Sequence, residues 1–515
     1  MLAPFRNEPP TDFSQPGARE AFQAALAQVA ATFERDYPLL IGGEPVWSGE
    51  WIVSYDPCQR DRRVGRVACG TPALAERALD AAWAAFPAWS RMDPAARARI
   101  LWRAAALLRR RKHEFSALLV YEVGKTWAEA DADTGEAIDF LEYYGREMVR
   151  LTEPVPLHYL PGEENVQYYE PLGAGVVIAP WNFPLAILTG MTSAAIVTGN
   201  TVVLKPSSLA PVVAARFVEL LTEAGLPPGV VNFLPGPGDR VGDVLVGHPR
   251  TRFVSFTGSR DVGVHIYELA ARVQPGQRWL KRVIAEMGGK NAIVVDASAD
   301  LEAATAGIVT SAFGYQGQKC SACSRVVAVG DVHDQLLDRV VERTWALRVG
   351  PAWDPATDVA AVIDRAQYEK VLSYIRIGRD EGRLVCGGEP GDPTGYYIQP
   401  TIFADVAPRA RIAQEEIFGP VVAFIRAPSF EQAIAIANDT DYGLTGAVYA
   451  RDRARLEYAR REFHVGNLYF NRKCTGALVG VHPFGGFNMS GTDAKAGGPD
   501  YLLLYLQAKA VAERL

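Results

Sequence analysis

Cysteine is scarce in this chain: six residues in 515, at the irregular positions 58, 69, 320, 323, 386 and 474. That excludes a disulfide-built scaffold and fits reduced thiols in a cytoplasmic compartment. Basic charge is not in surplus. Lys and Arg number 53 against 59 Asp and Glu, a net charge of −6, so nucleic acid is not the expected partner. The N-terminal Met-Leu-Ala-Pro-Phe-Arg-Asn-Glu has no basic region leading into an apolar run, so no signal peptide is expected. Internal repeats and low-complexity tracts are absent. Long hydrophobic runs are absent too. Pro171 to Leu204 carries no charge, yet Gly173, Gly175, Pro180, Asn182, Pro184, Gly190, Gly199 and Asn200 interrupt it. A spanning helix needs about 20 mainly apolar residues in one run. The stretch therefore reads as buried strand, loop, helix and strand, and no membrane partner is expected.

What is present is globular composition, 49% hydrophobic and 22% charged, in a chain long enough for two or three packed units. Phe22, Leu26, Val29 and Phe33 predict an amphipathic helix over 17–36. Ile41-Gly42-Gly43-Glu44 predicts a hairpin. Asp93-Pro94 opens a helix running to about His113, and its Arg109-Arg110-Arg111-Lys112 reads as a solvated face. From Gly173 strands and helices alternate: strands at Gly175–Ile178, Thr201–Leu204, Val230–Leu234 and Phe253–Phe256, helices at Leu185–Val197 and Pro211–Ala224. Asn291–Val295, Val326–Val329 and Val421–Ile425 continue the alternation. The fold class is α/β, with parallel sheet that binds ligands beyond its strand carboxyl ends. Leu502–Val511 reads as a strand or tail able to dock on another subunit.

Five clusters could carry chemistry. Asn182, in Pro180-Trp181-Asn182-Phe183-Pro184 after a strand, is either a turn former or an amide donor for an oxyanion. Lys205, at the next strand end, is either a surface lysine or a sugar ligand. Glycine turns follow the next two strands, at Gly236-Pro237-Gly238 and at Gly258-Ser259-Arg260-Asp261-Val262-Gly263. They suit a phosphate at a helix start but miss the usual G-x-G-x-x-G pattern. Glu286, before Gly288-Gly289, is either a cap or a general base with a raised pKa. Cys320, in Gly317-Gln318-Lys319-Cys320-Ser321-Ala322-Cys323, offers a thiolate nucleophile whose pKa Lys319 or a helix start would lower. Cys320 and Cys323 also read as a redox pair or zinc half-site. No second ligand pair follows at zinc spacing, so no metal is expected.

Together these clusters resemble the aldehyde dehydrogenase superfamily. The resemblance spans residue 38 to the C-terminus and rests on PWNFP at 180–184, FTGSRDVG at 256–263, EMGGKN at 286–291, GQKC at 317–320, EEIFGP at 415–420 and PFGGF at 483–487. Met287 departs from the commoner leucine. Ala137-Ile138-Asp139-Phe140, Tyr143-Tyr144, His464 to Lys473 and Thr475 to Gly480 resemble the branch that oxidises L-glutamate γ-semialdehyde to L-glutamate. In some of that branch the enzyme is fused behind a proline dehydrogenase. Here one aldehyde dehydrogenase takes up all 515 residues, so a single-function form is expected.

The resemblance implies an N-terminal helical arm (1–37), a Rossmann-like NAD-binding domain (38–153 and 173–285), an α/β catalytic domain (286–489) and a β oligomerisation flap (154–172 and 490–515). It implies a homodimer building block, with a hexamer as the larger assembly. Cys320 would be the nucleophile, Asn182 the oxyanion donor and Glu286 the base that hydrolyses the thioester. Ile178, Pro180, Trp181, Gly236, Gly258 and Ser259 would line the NAD site. Lys205 would hold the adenine ribose, Glu416 the nicotinamide ribose, and Phe418 would pack beside the ring. Ser208 stands where NAD-preferring relatives often carry glutamate, so NADP is expected as a tolerated second cofactor; alternatively Ser208 caps the following helix. Phe183 and Phe484 would sandwich the substrate chain, Ser321, Gly476 and Ala477 would hold its carboxylate, and Glu136 its ammonium. The competing readings are a dehydrogenase for another semialdehyde, a coenzyme A-acylating form and a non-enzymatic protein retaining the fold.

Overall fold

The computed structural model describes residues 4–153, 155 and 157–515. Residues 1–3, where the N-terminal reading begins, and Pro154 and Pro156 of the expected flap lie outside the described residues. Two seven-stranded sheets organise the chain. The first contains five parallel strands, ordered Arg282–Glu286, Phe253–Thr257, Ala174–Ile178, Thr201–Lys205 and Val231–Phe233. Strand order reverses between Ala174–Ile178 and Phe253–Thr257, the kind of crevice where doubly wound sheets bind ligands. The hairpin Leu39–Ile41 and Glu44–Val46 closes the far edge antiparallel. Its turn uses Gly42 and Gly43 at φ 65° and 87°, open to glycine without strain.

The second sheet runs Arg383–Cys386, Thr401–Ala404, Val421–Ala427, Cys323–Val329, Asn291–Val295, Thr445–Tyr449 and Asn467–Phe470. All its pairs are parallel except the antiparallel edge at Arg383–Cys386. Parallel strands with both faces covered read as continuous apolar runs. Thr201–Lys205 and Asn291–Val295 are buried at every position. Among the described residues no helix is long and apolar enough to cross a membrane.

Several local expectations change. The first helix is Pro16–Ala30, shorter than the periodicity suggests, and strand Arg35–Tyr37 begins within the span assigned to it. Phe33 keeps its apolar role outside the helix, 5.0 Å from the Tyr121 ring. The helix expected to reach His113 ends at Arg110. Arg111, at φ −105° and ψ 20°, breaks it before a new helix at Lys112–Val123. Lys112 is not solvated: it is buried and paired with Asp131 at 2.9 Å.

Leu506–Arg514 pairs antiparallel with Glu163–Pro171 as a two-stranded ribbon. Residues 490–505, grouped with this flap from sequence, instead return to the body. The Ser490 carbonyl accepts the Met287 N–H (2.7 Å), and Thr492 N–H donates to the Ala285 carbonyl (2.9 Å). Burial of Tyr501, Leu502 and Tyr505 drives that return.

Candidate active site

Cys320 sits on a tight turn just before strand Cys323–Val329. The Asn291 amide clamps this turn, donating to the carbonyls of Cys320 and Ala322, both at 2.8 Å. Upstream, Tyr315 and Gln316 hold positive φ of 51° and 56°. Such strain persists only where neighbours over-determine it. The buried Gln316 side chain donates to the carbonyls of Gly124 (3.0 Å) and Ala361 (2.8 Å) and accepts from Ala360 N–H (3.2 Å).

The Cys320 thiol is pushed up to about 12. Burial is the main cause; Glu416, Glu286 and Glu136 add to it, and the Ser321 N–H opposes it. Lys319 does not depress the thiol as expected, because its ammonium is committed to Glu129 at 2.7 Å. Cys323 is buried in its strand, where its thiol donates to the Arg325 carbonyl at 3.4 Å, and it forms no disulfide with Cys320. All six cysteines are free.

Asn182 is buried and gives one amide N–H to the Gln318 carbonyl (3.0 Å), which aims the amide at the turn carrying Cys320. An amide has a second donor, the one an oxyanion would use. Glu286 ends strand Arg282–Glu286. Its Oε1 accepts the Ala494 N–H at 3.3 Å, and its Oε2 is buried without a hydrogen-bond partner. Burial raises its pKa to about 8. The carboxylate is thus poised to take a proton near neutral pH.

The cofactor candidates gather at the reversal of the first sheet. Ile178 ends one central strand with Pro180 and Trp181 just beyond it, and Gly258 and Ser259 follow the other. Ser259 caps helix Arg260–Ala271, accepting the Val262 N–H. Lys205 is buried, its pKa lowered to about 8 by desolvation. A Cβ at Gly242 would stand 3.5 Å from its Cε. At Gly236 a side chain would strike Val241. Such bare backbone suits close approach of a nucleotide. Glu416 accepts the Gly289 N–H at 2.9 Å. Burial raises its carboxyl pKa. Phe418 holds φ 61°, with its ring 5.5 Å from Trp181. Gln367 secures it by donating to the carbonyls of Ile417 (3.0 Å) and Phe418 (2.7 Å). Ser208 does not cap helix Pro211–Glu223. Glu122 does, with Oε1 on Val212 N–H and Oε2 on Val213 N–H, each 2.7 Å.

The loop that carries two of the substrate candidates is tied to the same turn. Cys474 Sγ donates to the Ser321 carbonyl at 3.4 Å, tying the start of the 474–482 loop to the nucleophile. Arg472 donates to the carbonyls of Thr475 (2.9 Å) and Gly476 (3.1 Å). Each N–H lies trans to the carbonyl of its own peptide. The Gly476 and Ala477 N–H groups therefore point away from Arg472, as two adjacent donors suited to an anion. Gly476, at φ 74°, makes that turn possible. Phe484 bonds Ala496 through both backbone groups. A Cβ on the next residue, Gly485, would lie 3.0 Å from Glu286 Oε1. Glu136 has its pKa raised to about 8 by burial and by Asp133, with Lys125 opposing. Sequence reasoning gave no role to Asn291, Gln316, Lys125, Asp133, Glu122 or Gln367. Asn291 and Gln316 sit in or beside quoted motifs, but their partners are distant in sequence.

The model of the aldehyde dehydrogenase family matches residues 47–511. The chain belongs to that family. It is 64% identical over 513 residues, with full coverage of both chains, to 1-pyrroline-5-carboxylate dehydrogenase of Geobacillus kaustophilus (strain HTA426). It superposes on a crystal structure of 1-pyrroline-5-carboxylate dehydrogenase from Thermus with bound NAD, at TM-score 0.99, 56% identity and full coverage of both. It also matches proline utilization A from Bdellovibrio bacteriovorus, at TM-score 0.97 and 46% identity, covering 99% of this chain and 53% of that one.

Proposed function

We propose that this aldehyde dehydrogenase oxidises L-glutamate γ-semialdehyde, the open form of 1-pyrroline-5-carboxylate, to L-glutamate with NAD. The observation that carries this reading is the surroundings of one thiol. Cys320 shares its site with the Glu286 and Glu416 carboxylates and, within electrostatic reach, with Glu136. The loop that offers two adjacent backbone donors is bonded to the very next residue. Full-length likeness to enzymes named for this substrate supports it.

The residues divide the work. Cys320 gives its proton to solvent and, as the thiolate, attacks the aldehyde carbon, forming a thiohemiacetal whose oxygen carries the charge. Asn182 and the Cys320 N–H take the oxyanion. The bound nicotinamide cofactor supplies the hydride acceptor and, when oxidised, a positive charge. A cation sharing the cavity lowers the thiol pKa, offsetting the neighbouring carboxylates. Loss of hydride leaves a thioester on Cys320. Glu286 takes a proton from water, which attacks the thioester and frees the acid. Gly476, Ala477 and Ser321 hold the far carboxylate, Glu136 the ammonium, and Phe183 and Phe484 the methylenes between them. Glu416 orients the nicotinamide ribose, Phe418 packs by the ring, and Lys205 holds the adenine ribose.

The first sheet supplies the cofactor unit and the second the nucleophile. The ribbon of Glu163–Pro171 and Leu506–Arg514 exposes Val166, Tyr168 and Val511. We assign it to pairing with a second copy, giving a homodimer as the building block of any larger assembly, in a cytoplasmic setting. The test is nicotinamide reduction followed by absorbance, with L-glutamate γ-semialdehyde, NAD and no coenzyme A. Steady turnover to L-glutamate is expected. Turnover only with coenzyme A, or none, overturns the reading.

A further inference from the structure

Residues ahead of the family match reach the substrate site. The Asn7 amide donates to two elements at once: Asp139 Oδ2 at 2.8 Å and the Val479 carbonyl at 2.9 Å. An amide nitrogen has two hydrogens, and this geometry uses both. Asp139 lies one turn beyond Glu136 on helix Trp127–Arg150, on the same face. Val479 lies two residues beyond Ala477. Asn7 thus joins the helix carrying the ammonium candidate to the loop carrying the carboxylate donors.

The arm holding Asn7 is itself fixed. Glu8 N–H donates to Asp139 Oδ1 at 2.6 Å, and Glu8 pairs with Arg109 at 2.7 Å. Thr11 N–H donates to Asp131 at 2.8 Å, and Lys112 reaches the Pro9 carbonyl at 3.0 Å. The Phe5 ring stands 5.2 Å from Tyr143. A Cβ at Gly480 would lie 3.1 Å from both rings, so the arm is wedged between helix and loop.

We infer that Asn7 is a positioning residue for amino-acid recognition, setting the spacing between Glu136 and the Gly476-Ala477 donors. The inference rests on the substrate reading above. A ligand held at both ends senses the distance between its holders, and misplacement on the scale of an ångström degrades such a site. An aldehyde without the amino-acid end does not sense it.

The experiment compares wild type, Asn7→Ala and Asn7→Asp as full chains. Initial rates are measured with L-glutamate γ-semialdehyde and with propanal, each at varied aldehyde and NAD. Asn7→Ala should raise KM for the semialdehyde by about tenfold, from the loss of two hydrogen bonds. Its kcat, its KM for NAD and its propanal kinetics should not change. Asn7→Asp sets a carboxylate against Asp139 and should raise that KM further, again sparing propanal. If Asn7→Asp does not fold, Asn7→Ala decides alone. Equal losses with both aldehydes, or an unchanged KM, overturn the inference. Wild type that oxidises propanal but not the semialdehyde overturns the substrate reading itself.

Discussion

The ammonium of Lys125 stands 3.6 Å from the centroid of the Phe183 ring. The same ammonium is paired with Asp133 at 2.8 Å, both side chains fully buried. Asp133 also accepts the Ala186 N–H at 2.7 Å, at the start of the helix that follows PWNFP. One buried pair therefore steadies the ring of Phe183 and the loop that carries Asn182. Lys125→Met leaves Asp133 buried and unpaired. Breaking a buried pair from one side costs about 3–5 kcal/mol. Denaturant unfolding should show that loss, and Lys125→Met with Asp133→Asn should recover part of it. A single variant as stable as the parent would remove this role.

Cys320 and Cys323 should separate cleanly. Cys320→Ala should abolish turnover and retain cofactor binding. Cys323→Ala should keep most activity, since its buried thiol donates to the Arg325 carbonyl of its own strand. The check is steady-state rate together with cofactor titration. Wild-type turnover from Cys320→Ala would sink the covalent mechanism.

On the proposed mechanism Glu286 acts after the first chemical step. Glu286→Gln should give a burst of reduced cofactor and then slow turnover, by the 10²–10⁴-fold that is roughly typical of a general base. Only the ionised carboxylate takes a proton from water. With its pKa near 8, the wild-type hydrolysis rate should fall as pH drops below that value. The variant should lose this slope while its burst remains. An unchanged steady-state rate in Glu286→Gln assigns the base elsewhere.

Recognition of the amino-acid end gives a second pH signature. The Glu136 carboxyl is raised to about 8, and an ammonium partner favours its charged form. Binding therefore releases a proton, and KM for the semialdehyde should rise as pH falls below 8. Loss of a charge-paired contact costs roughly 1.5–3 kcal/mol, so Glu136→Gln should lower kcat/KM about tenfold or more and flatten that dependence. Propanal should be a poor substrate throughout. Equal efficiency for propanal and glutamate semialdehyde contradicts the assignment.

Legibility followed distance along the chain. Cys320, Glu286 and Asn182 stand in short contiguous motifs next to strands, and those motifs carry the family resemblance that singles them out. Seven parallel strands were also readable, because continuous apolar runs between glycine turns are local; Arg282–Glu286, Thr401–Ala404, Thr445–Tyr449 and Asn467–Phe470 were not. The ties that hold the site were not. Glu122 caps a helix 90 residues away, and Asn7 meets Val479 across 472 residues. Lys319 looked like an activator of Cys320 because it precedes it. Its actual partner, Glu129, is 190 residues distant. The early end of the first helix escaped for the opposite reason: Phe33 fits helical spacing yet buries against Tyr121 from a turn.

The expected tolerance of NADP turns on Ser208. It follows Lys205 by three residues, where NAD-preferring relatives often place glutamate that bonds the ribose and repels a 2′-phosphate. The competing role, capping helix Pro211–Glu223, is already filled by Glu122. The hydroxyl is thus available to a ribose or a phosphate, and it carries no charge to repel one. Removing a like-charge contact at 4 Å is worth ~1–4 kcal/mol between bulk-water and protein-surface dielectric. That range brings NADP within reach of NAD. NAD should remain the main cofactor, with measurable NADP turnover. Ser208→Glu should raise KM for NADP and leave KM for NAD nearly unchanged. The check is initial rate against each cofactor at saturating semialdehyde. Inert NADP with wild type, or equal losses for both cofactors in Ser208→Glu, would show that Ser208 does not set this preference.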